Sequence, residues 1–158
     1  MKNVYFISDA HLGSLAIPHR RQQERRLVRF LDEIKTKAQA VYLLGDIFDF
    51  WFEYQTVVPK GYTRFLGKIS ELTDMGIEVH FFIGNHDIWT FGWLKEQTGM
   101  TIHRKPETIL LNGKRIFLAH GDGLVPSNYV QQLPANIQKK IKQFVFLRKL
   151  FHSPILQF

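Results

Sequence analysis

Four short stretches combine carboxylates, imidazoles and amides at spacings that could hold metal: Asp9-x-His11, Gly45-Asp46-x-x-Asp49, Gly84-Asn85-His86-Asp87 and His120-Gly121-Asp122. Hard oxygen donors beside imidazole nitrogens suit Mn, Fe or Zn. In the stretch from Leu43 to Tyr54, Asp46 and Asp49 sit among aromatic and aliphatic side chains. An unpaired buried charge is costly, so a positive partner is expected for at least one of them. Two ions a few ångströms apart need a common ligand, and a carboxylate can bridge with its two oxygens; Asp46 is the candidate. Asp49, one helical turn on, is expected to orient the loop or a ligand as an acceptor behind the metal ligands, and Asp122 is placed in the same outer role. Singly, each motif is ordinary. A Gly-Asp pair after a strand makes a turn, Asn and Asp cap helices, and a lone His at a strand end is commonly structural. Their joint occurrence carries the metal reading.

Such side chains need a scaffold that brings distant segments to one edge. Apolar runs predict strands over 4–8, 40–44 and 77–83, each ending in one of the motifs. Between them, Leu27, Phe30, Leu31 and Ile34 recur at helical spacing, predicting a helix over 19–38, and a second is expected over 62–75, stopping at Gly76. This order implies parallel strands with helical crossovers. A short helix is expected around 92–98. Strands over 107–111 and 114–119 then flank Asn112-Gly113, a strong hairpin signal. In open α/β folds, sites form where strands end.

The chain has 158 residues, 45% hydrophobic and 22% charged, ordinary for a single soluble domain. Cysteine is absent, so there is no disulfide framework and any metal must take N and O ligands. No run approaches the ~18 apolar residues of a membrane span, and Asp9 comes too early for a signal peptide. A cytoplasmic protein is expected. The net charge of +7 is uneven: the first 122 residues carry 16 basic and 14 acidic side chains, whereas the stretch from Gly123 on has five basic and no acidic ones.

The order D-x-H, G-D-x-x-D, G-N-H-D, H-G-D resembles the calcineurin-like metallophosphoesterase superfamily. Ile7-Ser8-Asp9-Ala10-His11-Leu12-Gly13, the aromatic tail after Asp46 and the Leu118-to-Leu124 stretch are similar to the UDP-2,3-diacylglucosamine hydrolases (pyrophosphohydrolases) of lipid A biosynthesis. The resemblance implies an α/β fold, a β-sandwich flanked by helices (αββα), and two divalent metal ions, first of all Mn, with Fe, Zn or Mg as alternatives. Asp9, His11 and Asp46 would serve one ion, and Asp46, Asn85 and His120 the other. A metal-activated water would cleave the diphosphate of UDP-2,3-diacylglucosamine, giving UMP and 2,3-diacylglucosamine 1-phosphate. His86 would donate to a phosphoryl oxygen or the leaving group, with Asp87 orienting it, and Asn85, His86 and Asn128 would contact substrate. Some hydrolases of this family carry Arg where His86 stands, so cationic stabilisation is an open alternative to proton transfer.

One departure bears on activity. The superfamily closes its site with a later G-H-x-H, one histidine for each ion. This sequence has no H-x-H and ends at Phe158. A C-terminally truncated chain lacking the final strands is therefore expected, with three of four ligands per ion, weakened metal affinity and poor or absent turnover unless water or a partner completes the site.

The basic and apolar residues after Ile137, with Lys139, Lys140, Lys142, Arg148 and Lys149 between Ile141, Phe144, Val145, Leu147 and Phe151, follow the pattern of a basic amphipathic helix. The domain reading is a core over 1–124 and a helical lid or insertion over 125–158. Packing on the core, with lysines reaching to water, is one reading of the tail. The other is a lid that meets acyl chains and an anionic membrane surface, peripheral on the inner face of the inner membrane. The aliphatic company of its aromatics argues against nucleic acid. Two further functional readings stay open: a metallophosphoesterase of another substrate class, and a non-catalytic domain that binds lipid surfaces or nucleotides.

Overall fold

The computed structural model describes residues 2–121; Asp122, Asn128 and the basic tail lie outside the described residues. The elements are β1 (Asn3–Ile7), α1 (Arg20–Ile34), β2 (Ala38–Leu44), α2 (Thr63–Asp74), β3 (Glu78–Phe82), α3 (Trp93–Thr98), β4 (Thr101–His103), β5 (Glu107–Leu111) and β6 (Lys114–Leu118). The first four strands form one parallel sheet in the order β1-β2-β3-β4, and β5 and β6 pair as an antiparallel hairpin. Asn112 and Gly113 both have positive φ, 50° and 75°, which matches the twist of a two-residue hairpin.

The β2 sequence explains the layers. Successive side chains point to opposite faces of a strand, and both faces of β2 are apolar, as in a strand covered twice. Val41 and Leu43, with Val79 and Phe81 of β3, join a core that includes Leu31 and Ile34 of α1 and Phe65, Ile69 and Leu72 of α2. Ala40, Tyr42 and Phe82 form a second cluster with Leu118 of β6, flanked by Ile109 and Ile116. Helices therefore cover one face of the parallel sheet, and the hairpin lies over the other. Each fully buried Leu, Ile or Phe contributes about 1.5–3 kcal/mol relative to exposure.

The structure departs from the sequence reading by more than two residues at one boundary, and it adds one strand. The first helix ends at Ile34 instead of continuing to 38, because Ala38 is taken by the ladder with Asn3 and Lys37 is held in the preceding turn, its amide on the Ile34 carbonyl at 2.9 Å. The strand β4 was not expected. Its three residues pair with His80 to Phe82, and a strand that short carries no visible alternation.

Candidate metal centre

The loops leaving β1, β2 and β3 are tied to one another by main-chain bonds. The amides of Asp9, His11 and Leu12 donate to the carbonyls of Gly45, Asp46 and Ile47 at 3.1, 2.9 and 2.8 Å, and the Asp49 amide returns to the Leu12 carbonyl at 3.0 Å. The third loop joins through the Trp51 amide, which donates to the His86 carbonyl at 3.2 Å, and the His86 amide, which donates to Asp46 Oδ1 at 3.1 Å. From the end of β6, His120 reaches the same place, its Nδ1 donating to the Leu44 carbonyl at 2.9 Å.

Asp46, fully buried, is common to two sets of donor atoms. His11, Asp46 and His86 form one and Asp9, Asp46 and His120 the other, with the ligand atoms of each set within 4.8 Å of one another. His120 Nε2 is 3.2 Å and His11 Nε2 3.7 Å from Asp46 Oδ2. The rings of His11 and His86 meet edge to face at 4.8 Å. These sets cross the ones the resemblance implies, since Asp9 groups with His120 and His11 with His86. Asn85 is exposed, between Gly84 and His86 on the same loop.

Residue Asp49 orients two histidines at once. Its carboxylate lies 3.3 Å from His11 Nδ1, and its carbonyl accepts from His86 Nδ1 at 2.7 Å. The His11 ring is thereby turned with Nε2 toward Asp46, at 3.7 Å from Oδ2, and both rings have Nδ1 engaged, the arrangement by which outer partners fix metal-ligating histidines. Asp87 does something else. Its buried carboxylate accepts from the amides of Gly84 at 2.6 Å, Ile47 at 2.9 Å and Phe48 at 3.3 Å, bracing the second loop against the third. The expectation that Asp87 orients the His86 ring is corrected here: the ring's partner is the Asp49 carbonyl. Burial pushes the Asp87 carboxyl above the usual carboxylate range, with the Asp46 charge adding to the rise and the three amides opposing it.

The donor set fits divalent cations on three grounds. His120 Nδ1 faces a carbonyl oxygen, which only accepts, so that nitrogen carries the proton. In the neutral ring Nε2 then presents a lone pair to Asp46 Oδ2 at 3.2 Å, and two electron-rich atoms so close call for positive charge beside them. Secondly, burial works to raise the Asp46 pKa, but without a metal a proton on His120 Nε2, together with the His86 amide, outweighs it and the carboxyl stays below its ordinary value; a divalent cation would supply that positive charge in the proton's place. Thirdly, two glycines make room. A Cβ on Gly45 would lie 2.5 Å from His120 Cγ, and one on Gly84 2.5 Å from the Asp46 nitrogen.

The main chain is also strained at the site. Asp9, His11 and Asp46 all have left-handed φ, at 53°, 41° and 52°. Such conformations cost about 1–3 kcal/mol each and gather at functional sites.

Beside the centre is a carboxylate the sequence reading did not single out. Glu53, 6% exposed, accepts from the amides of Phe91, Gly92, Trp93 and Leu94 at the start of α3, at 2.5 to 3.1 Å, and from the Trp51 indole at 3.2 Å. Burial works to raise its pKa, but those donors outweigh it and hold the carboxyl below its usual value. Its place four residues after Asp49 in an aromatic run did not mark it out, because the four amides it accepts from come from about 40 residues later.

The sequence matches the calcineurin-like phosphoesterase family over residues 2–156. A UDP-2,3-diacylglucosamine hydrolase from Porphyromonas gingivalis is 51% identical over 119 residues, covering 75% of this chain and 45% of that protein. One from Histophilus somni is 30% identical over 158 residues, covering 98% and 63%. The chain thus spans roughly half the length of curated relatives that it matches. Among solved structures, a protein of unknown function from Aquifex aeolicus superposes with a TM-score of 0.50 at 20% identity, covering 92% of this chain and 73% of that one; the likeness is one of fold.

Proposed function

The chain belongs to the calcineurin-like phosphoesterase family, and on that premise we propose that it carries the two-metal site of a hydrolase that cleaves the diphosphate of UDP-2,3-diacylglucosamine to UMP and 2,3-diacylglucosamine 1-phosphate. The observation that supports this reading most is a single buried carboxylate, Asp46, within reach of two separate sets of N and O donors. The named relatives supply the substrate class.

Asp9, His11, Asp46, Asn85 and His120 would hold the ions, with Asp46 serving both. Two divalent ions bound there, manganese first among the expectations, would activate water and neutralise phosphate charge. His86 has Nδ1 committed to the Asp49 carbonyl, so Nε2 is the atom turned to the reacting phosphate. In its cationic form it would hold a proton at Nε2 and give it to the leaving oxygen, or stabilise charge there. Asp49 keeps this ring and that of His11 in place. The fixed loops supply orientation, which is a large part of catalysis in such chemistry.

Large aromatic side chains flank the same loops. Phe50 is 53% exposed, Trp89 40% and Phe91 63%, and Phe52 links them, its ring 5.9 Å from Trp89 and 6.0 Å from Phe91. An exposed apolar patch beside a phosphate site suits an acylated substrate. Among the described residues no helix is long and apolar enough to cross a membrane. In this proposal the basic segment from Lys139 on adds attraction to an anionic membrane surface, placing the protein peripherally on the inner face of the inner membrane, and Asn128 contacts substrate. The proposed division is a core over 1–124 and a lid over 125–158.

The test is UMP release from UDP-2,3-diacylglucosamine with added Mn, against a chromogenic phosphodiester and a phosphomonoester. Slow, metal-dependent UMP release that Asp46→Ala abolishes is expected. Preference for the monoester, or release indifferent to Asp46→Ala, would overturn the assignment. Co-sedimentation with anionic but not neutral vesicles tests the membrane part.

A further inference from the structure

A second feature opens one residue beyond His11. Between the first turn of α1 and the loop that enters α2 lies a cleft of about 470 Å³, within the size range of small-molecule sites. Four cations line it: Arg20 and Arg21 from the start of α1, Lys60 from the loop and Arg64 from the first turn of α2. Leu12 and Gly13 form the wall nearest the metal centre.

The cations have little to neutralise them. The acidic residue in the lining is Glu24, and its Oε1 is engaged by the Arg64 and Phe65 amides, both at 3.2 Å, where it caps α2. Among the described residues none of the four cations forms a salt bridge, whereas Lys35 and Lys68 each reach both Asp32 and Glu71. The helices can thus pair their lysines, yet leave the cleft with excess positive charge. Like charges converging without counter-ions repel one another, and the cost is relieved when an anion enters. Guanidinium groups match phosphate oxygens bidentately.

Tyr62 forms the floor and is rigidly placed. Its ring packs at 4.9 Å on Phe48 and 6.1 Å from Trp51, and its backbone is left-handed, with φ 61°. Burial, with Asp49 and Glu24 nearby, raises the phenol's pKa against the opposing pull of Arg20, so its hydroxyl keeps a proton to donate.

We propose that this cleft binds a phosphate-bearing small molecule with at least two negative charges, held by Arg20, Arg21, Lys60 and Arg64 without a metal ion. Hydrolysis at Asp46 is not required for it, and the site stands or falls apart from that reading. The molecule is either a nucleotide or a free condensed phosphate, which share the same anionic chemistry.

The experiment is calorimetric titration of the full chain with UMP and, separately, with inorganic pyrophosphate, with and without chelator. Saturable binding of one molecule per chain is expected, unchanged by chelation and weakened about tenfold or more by Arg20→Ala and by Arg64→Ala. Arg29→Ala, on a separate depression of α1, is expected to leave it unchanged. Tighter UMP binding assigns a nucleotide, and tighter pyrophosphate binding a free phosphate. No saturable binding of either probe would overturn the proposal. So would loss of binding on chelation, which would move the ligand to the metal centre, or equal weakening by Arg29→Ala, which would reduce the effect to general charge.

Discussion

The carboxylate of Asp49 lies 3.3 Å from His11 Nδ1, and this leaves His11 Nε2 as the nitrogen that faces Asp46. The same residue's carbonyl sets His86, so one position governs two imidazoles. Outer partners of this type are worth about 10–100-fold in metal affinity. Asp49→Ala is expected to lower Mn affinity within that range, and Asp49→Asn, which keeps an acceptor oxygen, to lower it less. Calorimetric Mn titration of both variants checks this. Equal affinity in Asp49→Ala and the unmodified chain would show that the carboxylate has no part in holding the ring.

Space beside Asp46 is as decisive as charge. Gly84→Ala sets a methyl against the Asp46 nitrogen and side chain, both part of an interior that does not yield readily. Metal affinity is expected to fall at least about tenfold, with a stability loss of about 1–3 kcal/mol from overpacking. Denaturant melts and Mn titration together test it. Gly67→Ala, in α2, meets no atoms within 4 Å and serves as a comparison away from the centre.

Glu53 links stability to pH. Its folded pKa is depressed by the amides of α3 and the Trp51 indole against the opposing effect of burial. A depressed carboxylate contributes stability that is present above its unfolded pKa and lost as pH falls through the folded value. Glu53→Gln is therefore expected to cost about 3 kcal/mol at pH 7, since several buried amides lose a charged acceptor. The gap between variant and unmodified chain should close as the solution is acidified below the ordinary glutamate range. Parallel chemical melts at pH 7 and at about pH 3 measure it; a gap that widens in acid contradicts the assignment.

The aromatic patch separates substrate parts. Truncating Trp89 and Phe91 together to Ser is expected to raise KM for an acylated substrate at least about tenfold, since a factor of ten is about 1.4 kcal/mol and fully burying one apolar side chain contributes about 1.5–3 kcal/mol. Hydrolysis of a small chromogenic diester should be unchanged. A parallel loss on both substrates would place these rings in loop support instead.

Apolar periodicity was enough to order the strands and main helices, and the ligand-type motifs announced which loops would meet. Physical reasons account for what was illegible. The end of α1 is set by pairing of Ala38 with Asn3, a contact between segments 35 residues apart that no local pattern contains. The direction in which Asp87 points, toward Ile47 and Phe48 rather than the neighbouring ring, depends on how two loops lie side by side. The arginines of α1 read as the wet side of an amphipathic helix, and only the fold brings Arg20 and Arg21 opposite Lys60 and Arg64.

The left-handed backbone at Asp9, His11 and Asp46 sets durability against usefulness. Glycine at any of the three would relax the chain, but at position 46 it would also strip the His86 amide of its acceptor. A library sifted by heat tolerance alone should therefore drift toward glycine at 9 and 11, and its hardiest survivors would be inert shells.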